Sequence, residues 1–307
     1  MPMIYDVIII GSGPAGLTAA IYAQRAELNS IVIEKTGFSG GQIINTDEVD
    51  NYPGTPGISG FDLSAKFREH CDKLNVNFVD GEVTKLHLED DIKVITLADG
   101  KEYRTKTVVI ATGGVPRHLG IPGEEEFSGG GVSYCAVCDG AFFRNKTVAV
   151  VGGGDVAVED AIFLSRISKK VYVIHRRDEF RASKSTVKKL LSSDNVTVLW
   201  DSVLEKINGT DTVESLEVKN VKTKEMSNID VSGVFIAIGY EPSSEAYKDV
   251  VATDESGYII AGENCETNVP GILAAGDIRK KDLRQIITAA SDGANAITAV
   301  ERYLNNY

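Results

Sequence analysis

Short runs of uninterrupted apolar side chains recur along the chain, each closed by glycine, and two of them open segments that can be laid one on the other. Residues 7–35, VIIIGSGPAGLTAAIYAQRAELNSIVIEK, and residues 148–176, VAVVGGGDVAVEDAIFLSRISKKVYVIHR, align without a gap at an offset of 141. Each begins as a continuous apolar strand, the pattern of a strand buried on both faces of a parallel sheet. Each then turns through glycines into helical periodicity, carried by Leu17 and Ile21 in one copy and by Val158 and Ile162 in the other. Each closes on a second apolar strand, SIVIE or VYVIH. The pattern predicts one βαβ unit used twice.

Further apolar segments sit between and after the repeats. VVIATGG (108–114) and FIAIGYEPSS (235–244) read as strands followed by proline-containing connections, suited to crossings between domains. GILAAGDIRKKDLRQIITAASDGANAITAVERYL (271–304) reads as a strand ending at Gly276-Asp277, a loop, and a long amphipathic helix. The expected fold is α/β, with two Rossmann-like, three-layer ββα nucleotide-binding domains. One is built from both chain ends, residues 1–115 and 245–307, and the other, residues 116–244, is inserted into it.

The glycine turns supply the first chemistry. The first copy carries G-x-G-x-x-G (Gly11, Gly13, Gly16, with Pro14 and Ala15 between) and the second G-x-G-x-x-A (Gly152, Gly154, Ala157, with Asp155 and Val156). The first glycine permits the tight turn, the second lets the backbone approach a pyrophosphate, and the third small residue allows close helix–strand packing. Two dinucleotides are expected. Glu34, at the ribose-reading position of the first copy and followed by Lys35, would accept ribose hydroxyls and repel a 2′-phosphate, which suits FAD or NAD. The equivalent position of the second copy is His175, followed by Arg176, Arg177 and Arg181. With no acid and several guanidinium forks, that copy suits NADP(H), the competing reading being a solvated charged turn.

Composition narrows the partners. The 307 residues carry a formal net charge of −12, which repels phosphate backbones and anionic membrane surfaces, so no nucleic-acid partner is expected. No stretch approaches a membrane span, and MPMIYDVIII lacks the features of a signal peptide, so a cytoplasmic, non-membrane protein is expected. In a reducing compartment, the C-x-x-C of VSYCAVCDGAFF (132–143) shifts the reading toward catalysis or metal. Cys135 and Cys138 alone leave three possibilities: a working disulfide, half of a zinc site, or two buried thiols.

Taken together, GSGPAG, GGQIINTDEVDNYPG (40–54), ATGG (111–114), CAVCDG (135–140), GGGDVAVEDA (152–161), HRRDEFRA (175–182) and AAGDIRKKDLRQ (274–285) resemble the low-molecular-weight thioredoxin reductases over essentially the whole chain. The placing of C-x-x-C within the second nucleotide domain separates this family from lipoamide-type disulfide reductases. The resemblance implies FAD and NADPH as cofactors, thioredoxin as the disulfide partner, a homodimer and no metal; the remaining Cys71, Cys265 and four scattered histidines offer no zinc spacing. It implies a redox-active Cys135–Cys138 disulfide, with Cys138 nearest the flavin, Cys135 attacking the partner's disulfide, and Asp139 handling a proton, a turn-former being the rival role.

By the same resemblance Gly41, Gln42, Thr46 and Asn51 surround the flavin ring and ribityl chain, Asp277 binds a ribityl hydroxyl, and Arg284, Gln285 and Ile286 start the final helix at the flavin. The family alternates disulfide and nicotinamide at one flavin by rotating the inserted domain, with hinges here near 115–118 and 239–244. Val137 and Val156 depart from the family's usual threonine and serine or threonine, and the latter removes a possible pyrophosphate contact. The alternatives are a related flavin disulfide reductase using ferredoxin as donor or a non-thioredoxin acceptor, and a redox-sensing FAD- and NADPH-holding protein without turnover. Trp200, Cys71 and Cys265 read as packing.

Overall fold

A computed structural model describes residues 3–46 and 48–306, so the first two positions of the N-terminal segment, Asp47 of the 40–54 motif and Tyr307 lie outside the described residues. The chain divides into two units, one made of 1–115 and 241–307, the other of 116–240.

The first unit runs β1 (Ile4–Ile10), α1 (Pro14–Arg25), β2 (Ser30–Glu34), α2 (Gly60–Lys73), β3 (Phe78–Asp80), β4 (Val83–Glu89), β5 (Ile92–Leu97) and β6 (Glu102–Ile110). β1 pairs in parallel with β2 and β6, and β2 with β3. β4, β5 and β6 continue as an antiparallel meander. Successive residues of β1 point to opposite faces. Val7 and Ile9 meet Leu17, Ala19 and Ala23 of α1, while Ile8 and Ile10 meet Leu86, Ile95 and Leu97 of the meander. All four β1 residues are essentially fully buried, each burial stabilising by roughly 1.5–3 kcal/mol, which explains the unbroken apolar run.

The chain then passes β7 (Gly114–Pro116) into the second unit: β8 (Val132–Ser133), α3 (Ala136–Asp139), β9 (Thr147–Gly152), α4 (Asp155–Ser165), β10 (Lys170–Ile174), α5 (Lys184–Leu191), β11 (Val196–Leu199), β12 (Ser202–Gly209), β13 (Val213–Asn220), β14 (Met226–Asp230) and β15 (Gly233–Ala237). The parallel sheet has the order β11-β10-β9-β15-β8, and β12-β13-β14 form a separate antiparallel sheet. The layering of the first unit is repeated. Val148 and Val150 of β9 face Ala157, Val158 and Ala161 of α4, whereas Ala149 and Val151 face Leu204, Leu216 and Val218 of the antiparallel sheet.

β16 (Tyr240–Pro242) pairs with β7, so the two crossing segments run side by side. β17 (Ile272–Ala274) then adds to the C-terminal half of β6, opposite β1. The last helix, α6 (Ile286–Asn305), packs along α1 so closely that a Cβ on Gly293 would lie 2.2 Å from the Ala15 carbonyl oxygen.

Candidate active site

In the first unit the β1–α1 turn is built on Gly11, at φ +99°, where a Cβ would also lie 2.5 Å from the Ala111 oxygen. Gly16 packs the helix onto this turn: its added Cβ would be 1.9 Å from the Gly11 oxygen. Gly13 is the helix N-cap, and Pro14 follows at the first helical position, where a missing N–H costs nothing. Glu34 at the end of β2 is held rigidly. Its Oε2 accepts from Ser12 N (2.8 Å) and Ser12 Oγ (2.6 Å), and its Oε1 from Thr36 N and Oγ1 (both 3.0 Å). Lys35 turns away to pair with Glu82 at 2.8 Å.

Gly41 and Gln42 begin a short 3₁₀ turn capped by Thr46, and Gln42 Nε2 donates to the Gly114 carbonyl (3.1 Å). Asn51 Nδ2 donates to Gln285 Oε1 (2.8 Å), joining the 40–54 loop to the start of α6. Gln285 is the N-cap of that helix, Ile286 its first residue, and Arg284 lies with its guanidinium 4.0 Å over the Tyr258 ring. Gly276 sits so near Ala15 that a Cβ there would come within 2.9 Å of the alanine methyl, which brings Asp277 to the first turn of α1.

Asp277 Oδ1 and Arg284 Nε are buried without a hydrogen-bond partner. Burial raises the Asp277 pKa, against the lowering influence of Lys281 and Arg284. A buried orphan acceptor beside a glycine turn fits a hydroxyl-bearing ligand that would complete it. The loop is anchored by a buried ionic group that sequence reading did not single out. Asp292 of α6 accepts from Gly276 N (2.9 Å), Arg279 Nε and Nη2 (both 2.8 Å) and Lys281 Nζ (2.8 Å). Burial alone would raise the Asp292 pKa; the Arg279 and Lys281 hydrogen bonds outweigh it and the net shift is downward.

In the second unit Gly154 caps α4, and a Cβ added there would meet no atom within 4 Å, so packing does not require this glycine. Open space before a helix N-terminus fits the approach of a pyrophosphate. Asp155 Oδ1 accepts from Ser183 N (2.8 Å), tying α4 to α5, while Val156 is exposed in the first turn. His175 lies beneath the loop rather than open to a ligand. It is buried against Phe180 and Trp200, its Nε2 is 2.9 Å from the Glu179 oxygen, and a Cβ on Gly153 would strike its ring at 2.0 Å. Burial lowers its pKa. Arg176, Arg177 and Arg181 are exposed, and the Arg181 N–H binds the Gly153 carbonyl (2.8 Å), placing these side chains beside the turn.

The cysteine pair follows β8 directly. Cys135 and Cys138 form a disulfide with their Cα atoms 5.4 Å apart, Cys135 capping α3 and its sulfur accepting from Cys138 N (3.1 Å). Cys138 is the more exposed of the two. Asp139 Oδ2 accepts from the buried hydroxyl of Ser133 (2.7 Å), a residue that sequence reading missed because a serine two places before a cysteine carries no signature of its own. Cys71 and Cys265 are buried, and burial pushes each thiol up to about 12, which leaves them protonated and inert. Among the described residues no group of three or more His, Cys, Asp or Glu could hold a metal ion. Among them too, no helix is long and apolar enough to cross a membrane.

Two glycine turns on parallel sheets, with a disulfide in the same unit as the second, define a nucleotide-dependent disulfide enzyme. The chain belongs to the pyridine nucleotide-disulphide oxidoreductases, whose family model matches residues 5–293. It is similar to the thioredoxin reductase of Peptoclostridium acidaminophilum, 44% identical over 99% of this chain and 98% of that one, and to that of Bacillus subtilis (strain 168), 45% identical over 98% and 95%. The crystal structure of Lactococcus lactis thioredoxin reductase superposes with a TM-score of 0.95 at 46% identity, covering 99% of this chain and 100% of that one.

Proposed function

We propose that the protein is an NADPH-dependent thioredoxin-disulfide reductase, a flavoprotein whose Cys135–Cys138 pair passes electrons to the disulfide of a thioredoxin. The observation that carries this reading is the disulfide itself, formed within the second nucleotide unit immediately after β8. FAD, when bound, conveys the electron pair of NADPH to that disulfide. The first unit holds FAD: Glu34 takes the adenosine ribose, the α1 N-terminus the pyrophosphate, and the orphan Asp277 carboxylate a ribityl hydroxyl. Gly41, Gln42, Thr46 and Asn51 line the flavin with the start of α6. The second unit holds NADPH, its pyrophosphate at Gly154–Ala157 and its 2′-phosphate among Arg176, Arg177 and Arg181, which His175 supports from beneath.

After reduction Cys135 is the attacking thiolate, favoured by the Cys138 N–H that points at its sulfur, and Asp139 moves the exchange proton. The paired crossings β7 and β16 are where the inserted unit would turn between the two half-reactions. The enzyme works in the cytoplasm as a homodimer; the exposed Phe38 and Phe61 of the first unit support a covered apolar face there.

The test is anaerobic. NADPH added to the purified yellow protein bleaches the flavin band, NADH does so far more slowly, and oxidised thioredoxin restores the colour in the wild type but not in Cys135→Ser. Failure of NADPH to bleach, with reduced ferredoxin succeeding, would refute the choice of donor.

A further inference from the structure

Ser133 stands at the end of β8, the residue only 5% exposed, and its hydroxyl oxygen has three polar neighbours: Asp139 Oδ2 at 2.7 Å, Cys135 N at 3.1 Å and Cys135 O at 3.2 Å. We propose that Ser133 is a positioning residue for disulfide exchange, locking the Asp139 carboxyl to the Cys135 backbone in both protonation states of the acid.

The valences allow this without any atom moving. With Asp139 ionised, the serine proton goes to Oδ2, the shorter and charge-assisted bond, while Cys135 N–H donates to the free lone pairs of the serine oxygen. With Asp139 protonated, the carboxyl donates to the serine oxygen and the serine proton turns to the Cys135 carbonyl. A carboxyl that must take up and release a proton in each turnover thus keeps one position. An alanine in place of Ser133 would leave both the carboxyl and the Cys135 N–H without this partner in a buried setting, and the carboxyl free to rotate.

The proposal rests on the reading of Asp139 as the proton carrier. In that step Asp139 takes the proton of the Cys135 thiol. The Cys135 thiolate then forms a bond to one sulfur of the partner's disulfide, the partner's S–S bond breaks, and its electron pair leaves on the second sulfur. That sulfur takes the proton from Asp139. NADPH has already supplied the two electrons held by the enzyme dithiol.

The experiment compares holoenzyme variants Ser133→Ala, Ser133→Thr and Asp139→Asn in two assays. Thioredoxin reduction requires the cysteine pair, whereas ferricyanide draws electrons from the flavin and reports on the folded, flavin-loaded enzyme in the same sample. Ser133→Ala is expected to lower kcat for thioredoxin by roughly 10-fold with the ferricyanide rate unchanged. The pH–rate profile for thioredoxin should also depart from wild type in Ser133→Ala, as it does in Asp139→Asn. Ser133→Thr, which keeps the hydroxyl, should restore both within roughly 3-fold, and adding Ser133→Ala to Asp139→Asn should cost nothing further.

Equal losses in both assays would mean that Ser133 serves the fold alone, and a wild-type rate and profile in Ser133→Ala would equally overturn the proposal. Wild-type thioredoxin reduction by Asp139→Asn would instead refute the proton-carrier reading, and the serine's role with it.

Discussion

Replacing Asp292 by asparagine is the sharpest test of how the first unit is held together. The three side chains of its ionic group are 4–6% exposed, and one carboxylate serves two cations as well as the Gly276 N–H. Of the other acids around the group, Glu263 lies 3.5 Å from Arg279 but its side chain is 94% exposed, so it offers a screened charge, and Asp277, which feels Lys281, has its own pKa raised by burial. Asp292→Asn removes the counter-charge while keeping the shape, leaving the buried guanidinium and ammonium groups without the carboxylate they both hydrogen-bond. Breaking a buried pair in this way costs about 3–5 kcal/mol. For a folding unit of this size each kcal/mol shifts Tm by roughly 2–4 °C, so the expected fall is roughly 6–20 °C.

The assay is thermal unfolding followed by circular dichroism at pH 7, with flavin content measured in parallel, because the loss of the Gly276 bond also frees the Asp277 loop. Adding Lys281→Met to Asp292→Asn removes one of the orphaned cations and should recover part of the loss. A fall of less than about 3 °C would refute the reasoning. The sign with pH follows from the lowered pKa of Asp292. Its contribution is fully present above the ordinary carboxylate range and is lost as pH falls through its folded value.

Three further outcomes are expected. Arg177→Ala combined with Arg181→Ala should raise KM for NADPH by roughly 10- to 100-fold and leave NADH untouched, each charged hydrogen bond to a phosphate being worth about 1.5–3 kcal/mol before solvent screening; equal effects on both nucleotides would count against the 2′-phosphate site. Gly16→Ala should yield flavin-poor, destabilised protein, since its Cβ would meet the Gly11 oxygen at 1.9 Å, whereas Gly154→Ala should melt normally and lose only NADPH affinity by titration. The folded pKa of Asp160 is pushed up to about 7 by burial, with Glu159 adding to the rise, so the wild type should lose stability as pH climbs from about 4 through 7. Urea midpoints at pH 5 and 8 should show that slope, and Asp160→Asn should flatten it.

Much of the fold was legible because a parallel strand buried on both faces must be apolar at every position, as Val7 to Ile10 and Val148 to Val151 are. The glycines were legible because steric demand admits nothing else at Gly11 and Gly16. Less legible was the fate of single polar residues. Nothing in DIRKKDLRQ says that Arg279 and Lys281 are buried while Lys280 is exposed, because that choice is made by Asp292 arriving from α6. His175 occupies the expected ribose position in sequence, yet the ring lies under Gly153, and only the contact with Phe180 and Trp200 explains why an aromatic belongs there. Ser133 reaches Asp139 and the Cys135 N–H through a side-chain placement that no spacing rule encodes.

The packing of α6 along α1 also has a consequence for synthesis. A ribosome adding about 5–20 residues per second needs roughly 13–50 s to travel from the end of α1 to the start of α6. Throughout that interval the nascent chain carries Leu17, Ala19 and Ala23 while Ala289, Ala296, Ile297 and Val300 of the same cluster are still untranslated. The second unit, contiguous in sequence, is complete before then. Only for the last roughly 2–9 s of that wait, while residues 241–286 are added, is the newborn polypeptide a fully synthesised insert within an unfinished host; for the whole of it the α1 face awaiting α6 is open to a chaperone or an aggregation partner.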